Sequence, residues 1–215
     1  LFFNCEALTS APSLPATKLA ERCYAYMFSG CTSLTAAPSL PATTLAAGCY
    51  NGMFYGCEGL TSAPSLPATT LVTACYSSMF SGCSSLTVAP ELIAPELVVA
   101  CYSEMFYECT SLKEVYLGAT RGFDWFFVED CNPLGSWLED TGTAGTVYCT
   151  QELYDAVATT SSIGSDVATS YGWTLGKGDF TPYLTFYADS DLGFMLSRYG
   201  DSDFTLSDGE KFEYK

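Results

Sequence analysis

The stretch Cys49–Leu71 reads CYNGMFYGCEGLTSAPSLPATTL, and closely similar stretches recur along the chain every 26 residues. Columns of leucine, of alanine and of Met-Phe pairs keep this period, and so do two columns of cysteine. The cysteine columns are Cys23, Cys49, Cys75, Cys101 and Cys5, Cys31, Cys57, Cys83, Cys109. Self-similarity at a period of about 20–50 residues is typical of solenoids, because one copy cannot bury its apolar columns alone and must stack on its neighbours.

Each copy is predicted to have an extended half and a turning half. Two prolines in Leu-Thr-x-Ala-Pro-x-Leu-Pro keep that part extended and interrupt hydrogen-bonded ladders, so its strands should be short. The part Ala-Thr-x-Leu-x-x-x-Cys-Tyr-x-x-Met-Phe spaces its apolar residues by three and four, which favours a short α- or 3-10 helix. Gly30, Gly56 and Gly82 follow, at a point where the chain turns back and a positive φ is favourable. The predicted fold class is an α/β repeat solenoid.

The motif Met-Phe-x-Gly-Cys-x-x-Leu-Thr resembles the BspA-like (Bacteroides surface protein type) leucine-rich repeat, in Met27–Thr35, Met53–Thr61 and Met79–Thr87. The resemblance covers residues 1 to about 117, and Leu112–Leu117 comes closer to the general strand Leu-x-x-Leu-x-Leu. The proline-rich segments of the first three copies depart from the family pattern. The resemblance implies a leucine-rich-repeat solenoid in a bacterial cell-surface or secreted protein used in adhesion, and it brings no catalytic residues.

The chain changes character after the repeats. We assign residues 1–127 to the solenoid, with a truncated first copy, 128–178 to a C-terminal cap and 179–215 to a small β-rich segment. A cap is expected because a solenoid must shield its last open core face, and the aromatic residues of 123–173 suit that role. Because the chain begins in mid-repeat and shows no signal peptide, we interpret it as a piece of a larger exported protein.

Local signals within the cap predict three elements. Thr146–Cys149 is expected to form a strand, and Thr150 is expected to N-cap a helix over 151–158. The serine- and threonine-rich segment 159–170 is predicted to be a loop. In the last segment, Leu184–Phe186 and Phe204–Leu206 are predicted to be short strands.

Composition excludes several classes of function. Lys and Arg number 8 against 24 Asp and Glu, giving a net charge of −16, and histidine is absent. The chain would repel a nucleic acid or an anionic membrane, and no segment predicts membrane insertion. Without histidine there is no Ser-His-Asp triad and no His-ligated zinc. Acidic residues number 7 in 1–110 and 17 in 111–215, so the C-terminal half is where any calcium ion or basic partner would bind.

The cysteines allow more than one interpretation. No Cys-x-x-Cys cluster exists, so zinc and iron–sulfur sites are disfavoured and no cofactor is predicted. The repeat columns are interpreted as buried thiols in preference to disulfides within each copy, although an exported protein permits either. Cys131 and Cys149 lie outside the columns and are the candidates for a single disulfide.

Acidic pairs near the C-terminus are weak candidates for calcium binding. Asp189, Asp191, Asp201 and Asp203 could offer oxygen ligands, but they lack the spacing of a calcium loop. A solvated acidic edge that deters strand pairing explains them equally well. No metal site is therefore assigned.

Aromatic residues supply the candidate binding surface. Phe3, Tyr55 and Tyr107 are alternate members of one variable column, so they could form a solvent-facing stripe, and Trp125 and Trp137 are further candidates. We predict a non-catalytic, extracellular or cell-surface recognition protein that binds a host or microbial protein or glycoprotein through the solenoid. The alternatives are a carbohydrate-binding module in the acidic, aromatic C-terminal half and a structural spacer. The sequence leaves the oligomeric state and the partner open.

Overall fold

The computed structural model describes residues 1–128, 131–142, 145–178, 185–189 and 193–197. The chain divides into two units, Leu1–Gly178 and Asp179–Lys215. In the first unit the 26-residue copies lie one on another, and residues one period apart are neighbours in adjoining copies. In the part of the chain so described, no helix combines the length and the apolar character needed to cross a bilayer.

The turning half of each copy is held by two alternating kinds of backbone hydrogen bond. Every second amide donates within its own copy to the carbonyl three residues earlier, as Met53 does to Tyr50 at 3.1 Å. The intervening amides donate to the next copy, as Phe54 does to Met79 at 2.9 Å. The predicted short helix is therefore wrong, because half of the amides that it would use are bonded between copies.

Two ladders of aromatic rings run through the stack. The phenylalanine ladder has neighbouring ring centroids 5.4 to 6.0 Å apart, and the tyrosine ladder has them 5.7 to 5.9 Å apart, with rings close to parallel in both. The two ladders are Phe2, Phe28, Phe54, Phe80, Phe106 and Tyr24, Tyr50, Tyr76, Tyr102. Most members are almost completely buried, so identical side chains from successive copies build one continuous core.

The extended half of the copies carries little regular strand. Its pairing consists of isolated parallel bridges, such as Lys18 with Thr44 and Ser62 with Val88. Isolated bridges thus stand where short strands were predicted, and the prolines account for this because they lack an amide hydrogen.

A regular sheet begins where the prolines stop. β1 (Glu114–Leu117), β2 (Thr146–Cys149) and β3 (Thr174–Lys177) form a parallel sheet in that order, with Val115 opposite Val147 and Val147 opposite Leu175. The strand predicted at Thr146–Cys149 is confirmed. Alternate residues of β1 and β2 point into the core and are fully buried.

Two helices follow β2 along the chain. α1 (Gln151–Thr159) is N-capped by Thr150, whose hydroxyl accepts a hydrogen bond from the Leu153 amide at 3.3 Å, so the predicted cap and helix are confirmed. α2 (Ser161–Val167) forms where a loop was predicted. Ile163 and Val167 are buried, and this packing outweighs the weak helix propensity of the serines.

Tryptophans close the C-terminal end of the stack. The Trp137 indole donates to the Val167 carbonyl at 3.0 Å, and the Trp173 indole donates to the Thr141 hydroxyl at 2.8 Å. Both rings are almost completely buried. Short 3-10 helices at Phe123–Phe127 and Thr169–Tyr171 complete this region.

The second unit contains one described hairpin. β4 (Thr185–Asp189) pairs antiparallel with β5 (Gly193–Ser197), and Phe186 lies opposite Leu196. The strand predicted at Leu184–Phe186 overlaps β4. The strand predicted at Phe204–Leu206 lies outside the described residues.

Candidate functional site

One edge of the stack collects exposed aromatic and acidic side chains, and we call it the tyrosine–acid edge. It is formed by three neighbouring columns of the repeat, which begin at Phe3, Asn4 and Glu6. Its aromatic and acidic members are Phe3, Tyr55, Tyr107, Glu6, Glu58, Glu108, Glu139 and Asp140. All of them are exposed except Tyr107, which is half-buried. Lysine and arginine are absent from the three columns, so every charged side chain in them is acidic.

Backbone conformation gives this edge its shape. Gly30, Gly56 and Gly82 have positive φ values of 72°, 67° and 73°, and a Cβ on Gly82 would lie 3.3 Å from the Gly56 Cα. Along these three glycines the surface of the edge is therefore formed by backbone without side chains. The next two members of the column, Glu108 and Asp140, keep the left-handed conformation with φ values of 58° and 55°. The column thus changes from glycine to carboxylate towards the C-terminal end of the stack.

Two adjoining depressions open on the edge and share Asp140. The first has a volume of about 390 Å³ and is lined by Glu58, Gly82, Ser84, Glu108, Thr110 and Asp140. The second has a volume of about 440 Å³ and is lined by Glu139, Asp140, Thr141, Gly142, Ser170 and Tyr171. Acidic residues line both depressions, and the first extends over several turns of the stack. Such a surface suits an elongated cationic ligand better than a small apolar one.

A hydrogen bond links the aromatic and acidic members of the edge. The Tyr107 hydroxyl donates to Asp140 Oδ2 at 3.1 Å. This bond and the negative charge of the Asp140 carboxylate raise the pKa of Tyr107 above its ordinary value. The bond places the hydroxyl end of the ring beside the carboxylate. Tyr55, two copies away, remains 45% exposed.

The basic residues lie elsewhere in the first unit. Arg121 bonds Glu96 at 2.9 Å, and both occupy the extended half of the copies. The Lys177 ammonium lies 4.7 Å from the centre of the Tyr154 ring. Neither residue belongs to the three columns of the edge.

The predicted aromatic binding residues have different environments. Phe3 is 60% exposed and Tyr55 is 45% exposed, so both are available to a partner. Trp125 is partly exposed at 37%, whereas Trp137 is fully buried. The assignment of Trp137 as a binding residue is therefore corrected: its indole closes the end of the core and is bonded to Val167.

The repeat cysteines are core thiols, apart from Cys5 and Cys23 at the exposed starts of their columns. Cys57, Cys83 and Cys109 donate their S–H groups to the carbonyls of residues 28, 54 and 80, at 3.1, 3.2 and 3.1 Å. Burial raises the pKa of Cys57 and Cys109 to about 12, so these thiols stay protonated and unreactive at neutral pH.

The two cysteines outside the columns are also free thiols in the structure. Cys131 is half-buried, and its carbonyl accepts a hydrogen bond from the Ala100 amide. Cys149 is buried at the end of β2, opposite Leu117 of β1. Cys131 thus lies beside Ala100 in the turning half, whereas Cys149 lies in the parallel sheet. Their pairing stays a prediction.

Metal-ligating side chains are scattered in the described part of the chain. No group of three or more metal-ligating side chains occurs there. Asp189 ends β4, while Asp191, Asp201 and Asp203 lie outside the described residues. The proposed calcium ligands therefore stay a prediction.

Sequence reasoning missed Glu58, Glu108 and Asp140 as members of a shared surface. The signal available was the replacement of glycine by Glu108 in an otherwise regular column. Asp140 had no such signal, because its turn of the stack does not resemble the repeat.

Comparison with known protein families, curated proteins and solved structures finds no match to the chain.

Proposed function

We propose that this chain is a BspA-like leucine-rich-repeat solenoid and that it acts as a non-catalytic recognition protein, extracellular or at the bacterial cell surface. Its partner is a host or microbial protein or glycoprotein, bound through the tyrosine–acid edge. The observation that carries the proposal is the exposure of Phe3 and Tyr55 on an edge where the equivalent Ser29 and Ser81 are buried. Exposed aromatic rings on a regular stack are typical anchors of protein interfaces.

The bonding of the buried thiols and the exposure of the carboxylates also favour recognition over catalysis. The thiols of the core are hydrogen-bonded and held protonated, so they offer no nucleophile. The carboxylates of the edge are spread along the stack and are exposed to water. A solenoid presents an extended surface of this kind, which suits binding of a macromolecule.

An array of matrix proteins, mucins and glycans, probed with the purified chain in calcium and again in chelator, tests the proposal. We expect binding to at least one protein or glycoprotein, and we expect the double variant Tyr55→Ser/Tyr107→Ser to lose it. The control Tyr116→Ser/Tyr148→Ser removes a stacked pair of tyrosines from the outer face of the parallel sheet and should retain it. Circular dichroism establishes that each variant is folded.

Three results would contradict the proposal. Binding that survives in Tyr55→Ser/Tyr107→Ser and is lost in the sheet-face control would move the site to the sheet. Binding to glycans alone, lost on changing Trp125, would favour the carbohydrate-binding alternative. A chain that binds nothing on the array would be a structural spacer.

A further inference from the structure

We propose that the tyrosine–acid edge binds an extended segment of a partner polypeptide that carries arginine or lysine at intervals of three to four residues. This inference rests on the proposed recognition function and names the chemistry of the partner. It combines four features of the edge: its charge, the spread of its carboxylates, the spacing of the copies and the placement of the tyrosines.

Charge selects a cationic partner. Glu58, Glu108 and Asp140 line one continuous depression and are all exposed, and no basic residue shares their columns. The chain as a whole carries a net charge of −16, which favours encounter with a basic partner. An acidic or neutral partner would leave these carboxylates facing a surface that cannot pair with them.

The carboxylates are spread in a way that suits a polypeptide better than a metal ion. Among the described residues, no three metal-ligating groups come together, whereas Ca²⁺ needs six to eight oxygen ligands in one place. Glu58 lies in the copy that begins at Cys49, Glu108 in the copy that begins at Cys101, and Asp140 in the turn that follows. Cationic side chains distributed along a chain can reach all three.

The spacing of the copies sets the spacing of the cations. Backbone hydrogen bonds join adjoining copies, as Phe54 to Met79 at 2.9 Å, and backbones so bonded lie about 4.8 Å apart, so two copies advance the stack by roughly 10 Å. An extended peptide advances about 3.3 Å per residue, so side chains three to four residues apart span a similar distance. A peptide running along the edge therefore presents one basic residue near Glu58 and the next near Glu108.

Tyrosine rings add a second interaction with the same cations. Tyr55 and Tyr107 occupy one column two copies apart, beside the depression, with the small Ser81 between them. The hydrogen bond to Asp140 places the hydroxyl end of the Tyr107 ring beside a carboxylate. A guanidinium bound there contacts both an aromatic face and a negative charge, and this combination favours arginine over lysine.

The test uses a fluorescein-labelled peptide of repeating Arg-Gly-Ser-Gly, followed by fluorescence anisotropy in about 0.15 M salt, where the screening length is about 8 Å. The edge variant Glu58→Gln/Glu108→Gln/Asp140→Asn removes three charges from the depression. The control Glu91→Gln/Glu114→Gln/Glu152→Gln removes three exposed charges outside the three columns. Both variants change the net charge equally, so they separate a localised site from general attraction.

We expect the edge variant to raise Kd by about tenfold and the control to change it less than about twofold. Tyr55→Ser/Tyr107→Ser should weaken binding of the arginine peptide more than binding of the corresponding lysine peptide. A peptide of repeating Glu-Gly-Ser-Gly should not bind. Circular dichroism and melting temperature show that the variants remain folded.

Equal weakening by the edge variant and the control would overturn the inference, because the attraction would then be non-specific. Binding of the glutamate peptide would also overturn the inference. Failure of the arginine peptide to bind the wild-type chain would overturn it as well. If the chain binds a target on the array and the edge variant binds it equally well, the basic-partner inference fails and the proposed recognition function stands. If the chain binds neither peptide nor array, both fail.

Discussion

Replacing Phe80 with alanine tests whether the stacked rings hold the copies together. Phe80 is an inner ring of the phenylalanine ladder, stacked on both sides, and is completely buried. Its ring lies 5.6 Å from that of Phe54 and 6.0 Å from that of Phe106, measured between centroids, and is nearly parallel to both. The substitution therefore removes two ring contacts at once and opens a space between two copies.

We expect a loss of about 4 kcal/mol in the free energy of unfolding, within the range of about 3–5 kcal/mol for Phe→Ala in a core. The loss should lie in the middle of this range or above it because ring stacking on both sides is removed in addition to apolar burial. A loss of this size lowers the melting temperature of a domain of about 180 residues by roughly 8–16 °C.

Two phenylalanines of the same chain provide matched controls. Phe2 is the first ring of the ladder, half-buried and stacked only on Phe28, so Phe2→Ala should cost about 1–2 kcal/mol. Phe3 is 60% exposed, so Phe3→Ala should cost less than about 0.5 kcal/mol. All three changes remove the same atoms, and only the position in the stack differs.

Urea unfolding followed by circular dichroism, together with calorimetry, measures the three variants against the wild type. A cost for Phe80→Ala below about 1.5 kcal/mol, or equal to that for Phe3→Ala, would refute the reasoning. A change in the slope of the urea transition would show that the copies no longer unfold together.

Four further predictions concern the thiols, a glycine of the turning half and a buried tryptophan. Because burial raises the pKa of Cys57, Cys109 and Cys149 from an ordinary value of 9.0 to about 12, these thiols stay neutral in the folded chain. The burial of the neutral thiols contributes fully to the free energy of unfolding below pH 9, and this contribution is lost as the pH rises towards 12. Urea titrations across that pH range measure the loss. Thiol titration at pH 8 should label Cys5 and Cys23 rapidly in the folded chain. In the denatured, unreduced chain all 11 thiols should react, or two fewer if Cys131 and Cys149 form a disulfide. Gly82→Ala should lower the free energy of unfolding by about 1–2 kcal/mol, since a left-handed alanine is strained and its Cβ meets Gly56. Gly172 has the same sign of φ and nothing within 4 Å of an added Cβ, so Gly172→Ala should cost less. Equal costs would count against the steric part of the argument. Trp137→Phe should cost about 1–3 kcal/mol because the Val167 carbonyl loses its donor, and acrylamide should quench the remaining fluorescence of Trp125 more strongly than that of Trp173.

Much of the stack could be read from columns of identical residues. Cysteine, leucine and the Met-Phe pair recur at fixed spacing, and their burial follows because identical positions of adjoining copies are neighbours. The threonine cap of α1 and the strand at Thr146–Cys149 were also predictable, since both depend on local sequence.

The turning half was harder to predict. Apolar spacings of three and four fit a short helix as well as a ladder of turns, and only the bonds between copies distinguish them. α2 was missed for a related reason, because its serine-rich sequence is helical only when Ile163 and Val167 pack against the core.

The turn after the last repeat was hidden by its spacing. Glu114 pairs with Thr146 and Leu117 with Cys149, so this turn follows at 32 residues instead of 26 and carries different side chains. Asp140 consequently joins the column of Glu108 without any repeat in the sequence to indicate it. The division of charge into two halves was misleading for the same reason, since the acidic edge takes Glu58 and Glu108 from the first half and Asp140 from the second.

The sequence by itself determined that copies stack at a period of 26 residues and which columns are buried, because repetition makes every copy repeat the burial of its neighbours. Only the tertiary structure decided which exposed side chains share a surface, because residues 32 to 82 positions apart meet only through the stack. It also decided how the stack ends, because the tryptophan indoles find their acceptors only once α2 and the last turn have packed together.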